Sequence, residues 1–145
     1  MRKLMVRARE RGAAAVEFAL VLPILVVILL GVIDFGLAMN AQAITANAAR
    51  EGARTASLGG TAAETKAAAK SATVSLLNTS GSNPTVTVTC REPGGSACPS
   101  GYDTDREAGG TVIVTVSYVY TWISPAVLGL PGTTTINKTS EMRIE

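Results

Sequence analysis

The sequence predicts an α+β protein, in which a long N-terminal transmembrane helix continues outside the membrane and a second helix packs on a small antiparallel sheet. Three observations predict it. An apolar run of spanning length follows a basic N-terminus, an alanine-rich stretch without proline follows that run, and strictly alternating segments occupy the C-terminal half. A chain of 145 residues holds one small domain and an anchor, hardly two independent cores. The expected division is a basic leader over 1–12, a transmembrane helix over 13–34, extracytoplasmic helices over 35–80 and a small β-rich part over 81–145 that contains a Cys90–Cys98 loop.

Charge is distributed unevenly along the chain. The net charge is +2, but Arg2, Lys3, Arg7, Arg9 and Arg11 precede the apolar run and are opposed only by Glu10. From Phe35 onward eight Lys or Arg face eight Asp or Glu. A nucleic-acid binder needs a basic face to displace counterions from phosphate, and nothing after the leader supplies one, so no nucleic-acid partner is expected. The basic cluster fits a topology signal instead. FALVLPILVVILLGVI, residues 18–33, carries no charge. Extended back to Ala13 it is about 21 residues, and a helix of that length reaches about 31 Å, enough for a hydrocarbon core of about 30 Å. The positive-inside rule then leaves the N-terminus in the cytoplasm and everything after Asp34 on the far side. Pro23 should at most kink such a helix. A secretory signal cut at Ala41-Gln42-Ala43 is the competing reading, against which stand an apolar run longer than an ordinary h-region and an overlong segment from Asp34 to Asn40.

Glu17 is the one residue out of place in RGAAAVEFALVLP, residues 11–23. A charged side chain in the bilayer costs about 2.5 to 3.5 kcal/mol at a helix centre, less near the interface, and normally has a partner. One reading is that Glu17 snorkels to the cytoplasmic headgroups. The other uses the glycine: cleavage after Gly12 would create an amine at Ala13, with Glu17 as the fifth residue of the new chain. Pairing within one helix has poor geometry, and the Glu17 of an adjacent, axially shifted subunit is the more natural partner.

At Gly12, Ala13, Glu17 and Phe18 the chain resembles a type IV prepilin, whose processing signal is a glycine, a small residue, glutamate at position five and an aromatic after it. Over residues 11–57, and most strongly at GVIDFG (31–36) and AAREGAR (48–54), it is similar to the TadE-like family of minor pseudopilins of the tight-adherence (Tad/Flp) pilus system; the ending TSEMRIE (139–145) is similar as well. The resemblance implies a pilin-like fold and cleavage between Gly12 and Ala13 by a prepilin peptidase. It also implies a charge pair in assembly built on Glu17 and Phe18, and a structural rather than enzymatic role in assembling Flp pili. The implied partners are the prepilin peptidase, other pilin or pseudopilin subunits, the Tad inner-membrane platform and the lipid bilayer. The implied location is the bacterial inner membrane, crossed once. The alternative is an unprocessed single-pass envelope protein with an extracytoplasmic binding or sensing module.

Beyond the membrane, Ala38, Ala41, Ala46, Ala49, Ala53 and Ala56 form a stripe of small residues that either permits close helix contact with a partner or follows from alanine-rich composition. Gly59-Gly60 should end this first helix. Thr61-Ala62-Ala63-Glu64 fits a capping box and starts a second helix running to Leu77, with Glu64 and 66–70 wet and Ala67, Val74 and Leu77 towards a core. NTSGSNP (78–84) breaks it. Strands are expected over 85–90, 111–122 and 133–144. In the second of these Val112, Val114, Val116, Tyr118, Tyr120 and Trp122 share one face, as core or as an aromatic binding platform. ISPAVLGLPG (123–132) is an unusually apolar connection that either folds onto the sheet or is exposed to a partner or the membrane surface.

Cys90 and Cys98 are the only cysteines and there is no histidine, so ligands for zinc are lacking and a disulfide outside the cytoplasm is expected. Without histidine the usual Ser-His and Cys-His nucleophile pairs are missing, and the glycines form neither a Walker loop nor a dinucleotide fingerprint. No catalytic residue, metal or cofactor is expected. Asp103, Asp105 and Glu107 form an acidic cluster that reads as a solvated turn before it reads as a calcium site, because the spaced ligands of an EF-hand loop are missing. The triplets at 78–80 and 137–139 read as chance matches to a glycosylation acceptor.

Overall fold

A computed structural model describes residues 2–77, 83–127, 129–130 and 132–145, with side chains described from Gly12 onward except those of Ala126 and Val127. Most of the expected turn at 78–84, the triplet at 78–80 and Leu128 of the apolar connection therefore lie outside the described residues.

The first helix, α1 (Arg2–Ser57), is a single rod that runs through Pro23. Its leucine, isoleucine, valine and alanine residues make helix in a lipid-like setting, where backbone groups must be satisfied within the segment. It ends as Gly59-Gly60 predicts. Gly59 sits at φ 87°, its N–H donates to Ala56 O at 3.0 Å, and the Gly60 N–H donates to Thr55 O at 3.1 Å. That pair of bonds is a Schellman cap, and the left-handed residue it needs is a glycine.

The second helix, α2 (Ala62–Ser71), has the predicted capping box: Thr61 Oγ1 accepts from the Glu64 N–H, and the Glu64 carboxylate accepts from the Thr61 N–H at 2.8 Å. Its length and its buried face differ from expectation. The helix ends at Ala72 rather than near Leu77, and Ala67, Val74 and Leu77, expected in the core, are all exposed, Val74 by 78%. Thr65 and Ala69, one turn apart, and Leu76 beyond the helix end are buried instead. In so alanine-rich a helix the two faces differ little in apolarity. The choice falls to shape, and the smallest side chains turn towards the close approach at Gly52, where an added Cβ would lie 3.1 Å from both Ala69 Cβ and Val114 Cγ1.

Three strands, β1 (Thr85–Arg91), β2 (Thr111–Thr121) and β3 (Thr133–Arg143), form an antiparallel sheet in the order β1-β2-β3. Val116 pairs with Val86 on one side and Lys138 on the other. Two short helices, α3 (Tyr102–Asp105) and α4 (Ile123–Val127), lie in the connections, so part of the apolar segment after β2 is helical. Val112, Val114, Val116, Tyr118 and Tyr120 are buried on one sheet face, while Trp122, just past the strand, is half-buried. What covers them is α2 and the second half of α1. Ala38, Ala41, Ala49, Ala53 and Ala56 of the small-residue stripe are buried in that contact, and Ala46 is partly so. The stripe is thus used inside the chain, where absent side-chain bulk lets a helix axis approach the valine and tyrosine row. The architecture is the expected α+β one: a head of two layers on the C-terminal half of a helix whose other half stands clear.

Candidate functional site

The free half of α1 and its junction with the head make up the candidate site. Gly12–Ser57 is long and apolar enough to cross a membrane. Val16, Phe18, Leu20, Val21, Ile24, Leu25, Ile28 and Leu29 are exposed, so apolar side chains point outward all round the helix and meet nothing of the chain's own. A helix apolar on every side belongs in a bilayer or among other helices, because in water it has no face that favours solvent.

Gly12, Ala13, Glu17 and Phe18 all lie in continuous helix and all are exposed. Ala13 and Glu17 are one turn apart on the same face. A Cβ at Gly12 would meet nothing within 4 Å, so packing does not require the glycine. Within a helix it is a weak point, about 1 kcal/mol less favourable than alanine. Among the described residues Glu17 has no hydrogen bond or ion pair. Its carboxylate is available to a group from outside the chain.

In the sequence Asp34 reads as the end of the apolar run and as part of GVIDFG, with no sign of a structural partner. In the structure it is the fastening between helix and head. It is 1% exposed; Oδ1 accepts from the Ile123 N–H at 2.9 Å and the Tyr120 hydroxyl at 3.3 Å, and Oδ2 accepts from the Ser124 N–H at 2.6 Å. Both carboxylate oxygens are therefore satisfied at the first turn of α4. Tyr120 stacks edge-on against Trp122 at 5.1 Å between centroids, and the Trp122 indole N–H donates to Thr134 Oγ1 at 2.8 Å. Burial pushes the Tyr120 phenol above its ordinary range, and the neighbouring Asp34 charge adds to this, so the hydroxyl stays a donor. The Tyr118 hydroxyl, also raised by burial, donates to Leu77 O. The aromatic row expected as core or platform is core along Tyr118 and Tyr120.

At the opposite end of the head, Tyr102 and Arg106 hold the end of α1. The Tyr102 hydroxyl lies 2.8 Å from Ala56 O and 3.0 Å from Gly60 O, and Arg106 donates to Gly60 O at 2.7 Å. Cys90 and Cys98 are joined by a disulfide with Cα atoms 5.4 Å apart, across a turn in which the Cys98 N–H also donates to Cys90 O. In the acidic cluster, Asp103 accepts from the Ala62 N–H at 2.7 Å and Asp105 from the Ser100 N–H at 2.5 Å. These carboxylates are directed to separate backbone amides rather than to a common point. Among the described residues no group of three potential metal ligands converges.

No curated protein and no solved structure matches the chain. Residues 12–54 match the model of the family described as TadE-like protein. That stretch begins at the glycine, carries Glu17 and the whole lipid-compatible run, contains Asp34, and ends within the alanine stripe that bears the head. Over that stretch the chain is similar to TadE-like proteins.

Proposed function

We propose that this protein is a minor pseudopilin-like component in the assembly of Tad/Flp pili. The observation that carries the reading is the coincidence of the TadE-like match with a helix whose first half, among the described residues, has no partner in its own chain. In this reading the helix crosses the inner membrane once, with the basic leader in the cytoplasm and the head on the far side. A prepilin peptidase cuts between Gly12 and Ala13. The Ala13 ammonium then meets the Glu17 carboxylate of an adjacent subunit displaced along the helix axis, with the outward-facing apolar side chains packing against other pilin helices. Charge neutralisation offsets the cost of holding Glu17 near lipid, and Phe18 beside it adds apolar contact.

Intact-mass measurement of protein extracted from membranes tests the processing step. A chain beginning at Ala13 is expected. A chain beginning at Met1 would favour the unprocessed envelope protein, and one beginning at Ile44 would indicate secretion. Glu17→Gln keeps the shape and removes the charge, so pilus yield should fall sharply while the head folds normally. Unchanged yield would exclude the charge pair.

A further inference from the structure

Among the described residues, the end of the head nearest the free half of α1 carries no charge apart from the buried Asp34. After Asp34 the next charged residue on α1 is Arg50, and residues 71–90 and 111–137 contain none. The topology brings the uncharged stretches together at this end. They supply Leu76 and Leu77 after α2, the beginning of β1, the end of β2, α4 and the beginning of β3. On the sheet the nearest charge is Lys138, which donates to Gln42 at 3.3 Å; Gln42 is eight residues beyond Asp34, about 12 Å along the helix. Exposed at the end itself are Phe35, Leu77, Ile123 and Leu130, beside the half-buried Trp122.

Two lengths set where this end lies. The apolar run up to Ile33 measures about one hydrocarbon thickness, so Asp34 falls at the boundary. The bonds from Ile123 and Ser124 then hold α4 at the level of Asp34. The apolar surface of the helix thus continues through Phe35 into Ile123 without a charged break.

We propose that the uncharged end of the head rests in the interfacial layer of the bilayer that α1 spans, with Phe35, Ile123 and Leu130 against lipid and Trp122 at headgroup level. The proposal rests on the membrane-spanning reading of α1. Contact is through apolar burial and an interfacial indole, both suited to that layer, whereas charged side chains would resist leaving water. The protein would stand on the membrane by its base, not swing above it on a stalk.

Trp122 is the only tryptophan in the chain, so its emission reports on this end alone. The full chain is reconstituted in phosphatidylcholine vesicles without bromine, with bromine at shallow acyl positions, or with bromine at deep acyl positions, which report on position 25 near the midplane. Two further reporters are made in a Trp122→Phe background, Leu130→Trp on the exposed face and Leu25→Trp within the span. An indole at headgroup level should lose emission about twofold to shallow bromine, and this is expected for Leu130→Trp and for the native Trp122. Loss at position 25 without loss at position 130 would overturn the proposal while leaving the span intact. Loss at neither would mean that the span itself is misread. If protection at position 130 arises only at high protein density, a second copy covers this end and the proposal fails.

Discussion

Asp34 shows how much one residue can determine. A carboxylate at the edge of an apolar run reads in sequence as a stop, yet its three donors lie 86 to 90 residues further along. Two of those donors are backbone amides, which have no sequence signature, so its role was invisible to pattern reading. Asp34→Ala should leave the Ile123 and Ser124 N–H groups without their acceptor and the Tyr120 hydroxyl with only the main-chain carbonyl of residue 34, which lies 3.4 Å away, a loss of about 2 to 4 kcal/mol. Thermal unfolding in detergent should show it; an unchanged midpoint would mean that the junction is held by apolar packing alone. Glu64 is a milder case. Its hydrogen bonds from the Thr61 backbone and then the Thr61 hydroxyl hold its carboxyl below the ordinary value of 4.5. The folded state therefore binds this proton less readily than the unfolded chain, so the stabilisation is fully present above that value and is lost as pH falls through the lowered one. The stability gap between native protein and Glu64→Ala should be widest at neutral pH and close in acid. A gap that widens on acidification would contradict the capping geometry.

Among elements, legibility followed contrast. In β1 threonine alternates with valine, and in β2 one face is wholly valine and tyrosine while the other is mostly threonine and serine, so the buried face of β2 was readable residue by residue, and the glycine pair and capping box marked the α1–α2 corner. In α2 the contrast is missing, since alanine occupies wet and dry positions alike, and the predicted face was wrong at Ala67, Val74 and Leu77. The alanine stripe of α1 raised a different ambiguity: small side chains announce a close approach without saying to what. Gly52 marks where that approach is tightest. Gly52→Ala gains helix propensity of about 1 kcal/mol but must displace Ala69 or Val114, for a net loss of about 1 kcal/mol, and Gly52→Val should lose about 3 kcal/mol. Denaturant titration should rank them in that order, and a stabilised valine variant would mean that α2 is free to move away.

At the scale of the whole molecule, two halves of one helix are stabilised by different surroundings. The second half is held by its own sheet, whereas the first has only what the environment offers. On heating in detergent, near-ultraviolet circular dichroism from Tyr118, Tyr120 and Trp122 should vanish in one cooperative step as the head melts. Far-ultraviolet helix signal should fall only partly, because residues 12–33 stay helical in the micelle. Complete loss of both signals together would mean that the anchor depends on the head. The small sheet was legible from its period of two, and the free half of α1 from an uncharged run of spanning length. Their junction was not, because it depends on contacts across most of the chain.

The unbroken course of α1 has a mechanical consequence. No loop separates the part that would lie in lipid from the part that carries the sheet, and Asp34 bolts the two between Gly31 and Gly36, where a joint would otherwise form. A torque or a push applied to the buried end would be delivered to the head with little slack, as through a crankshaft.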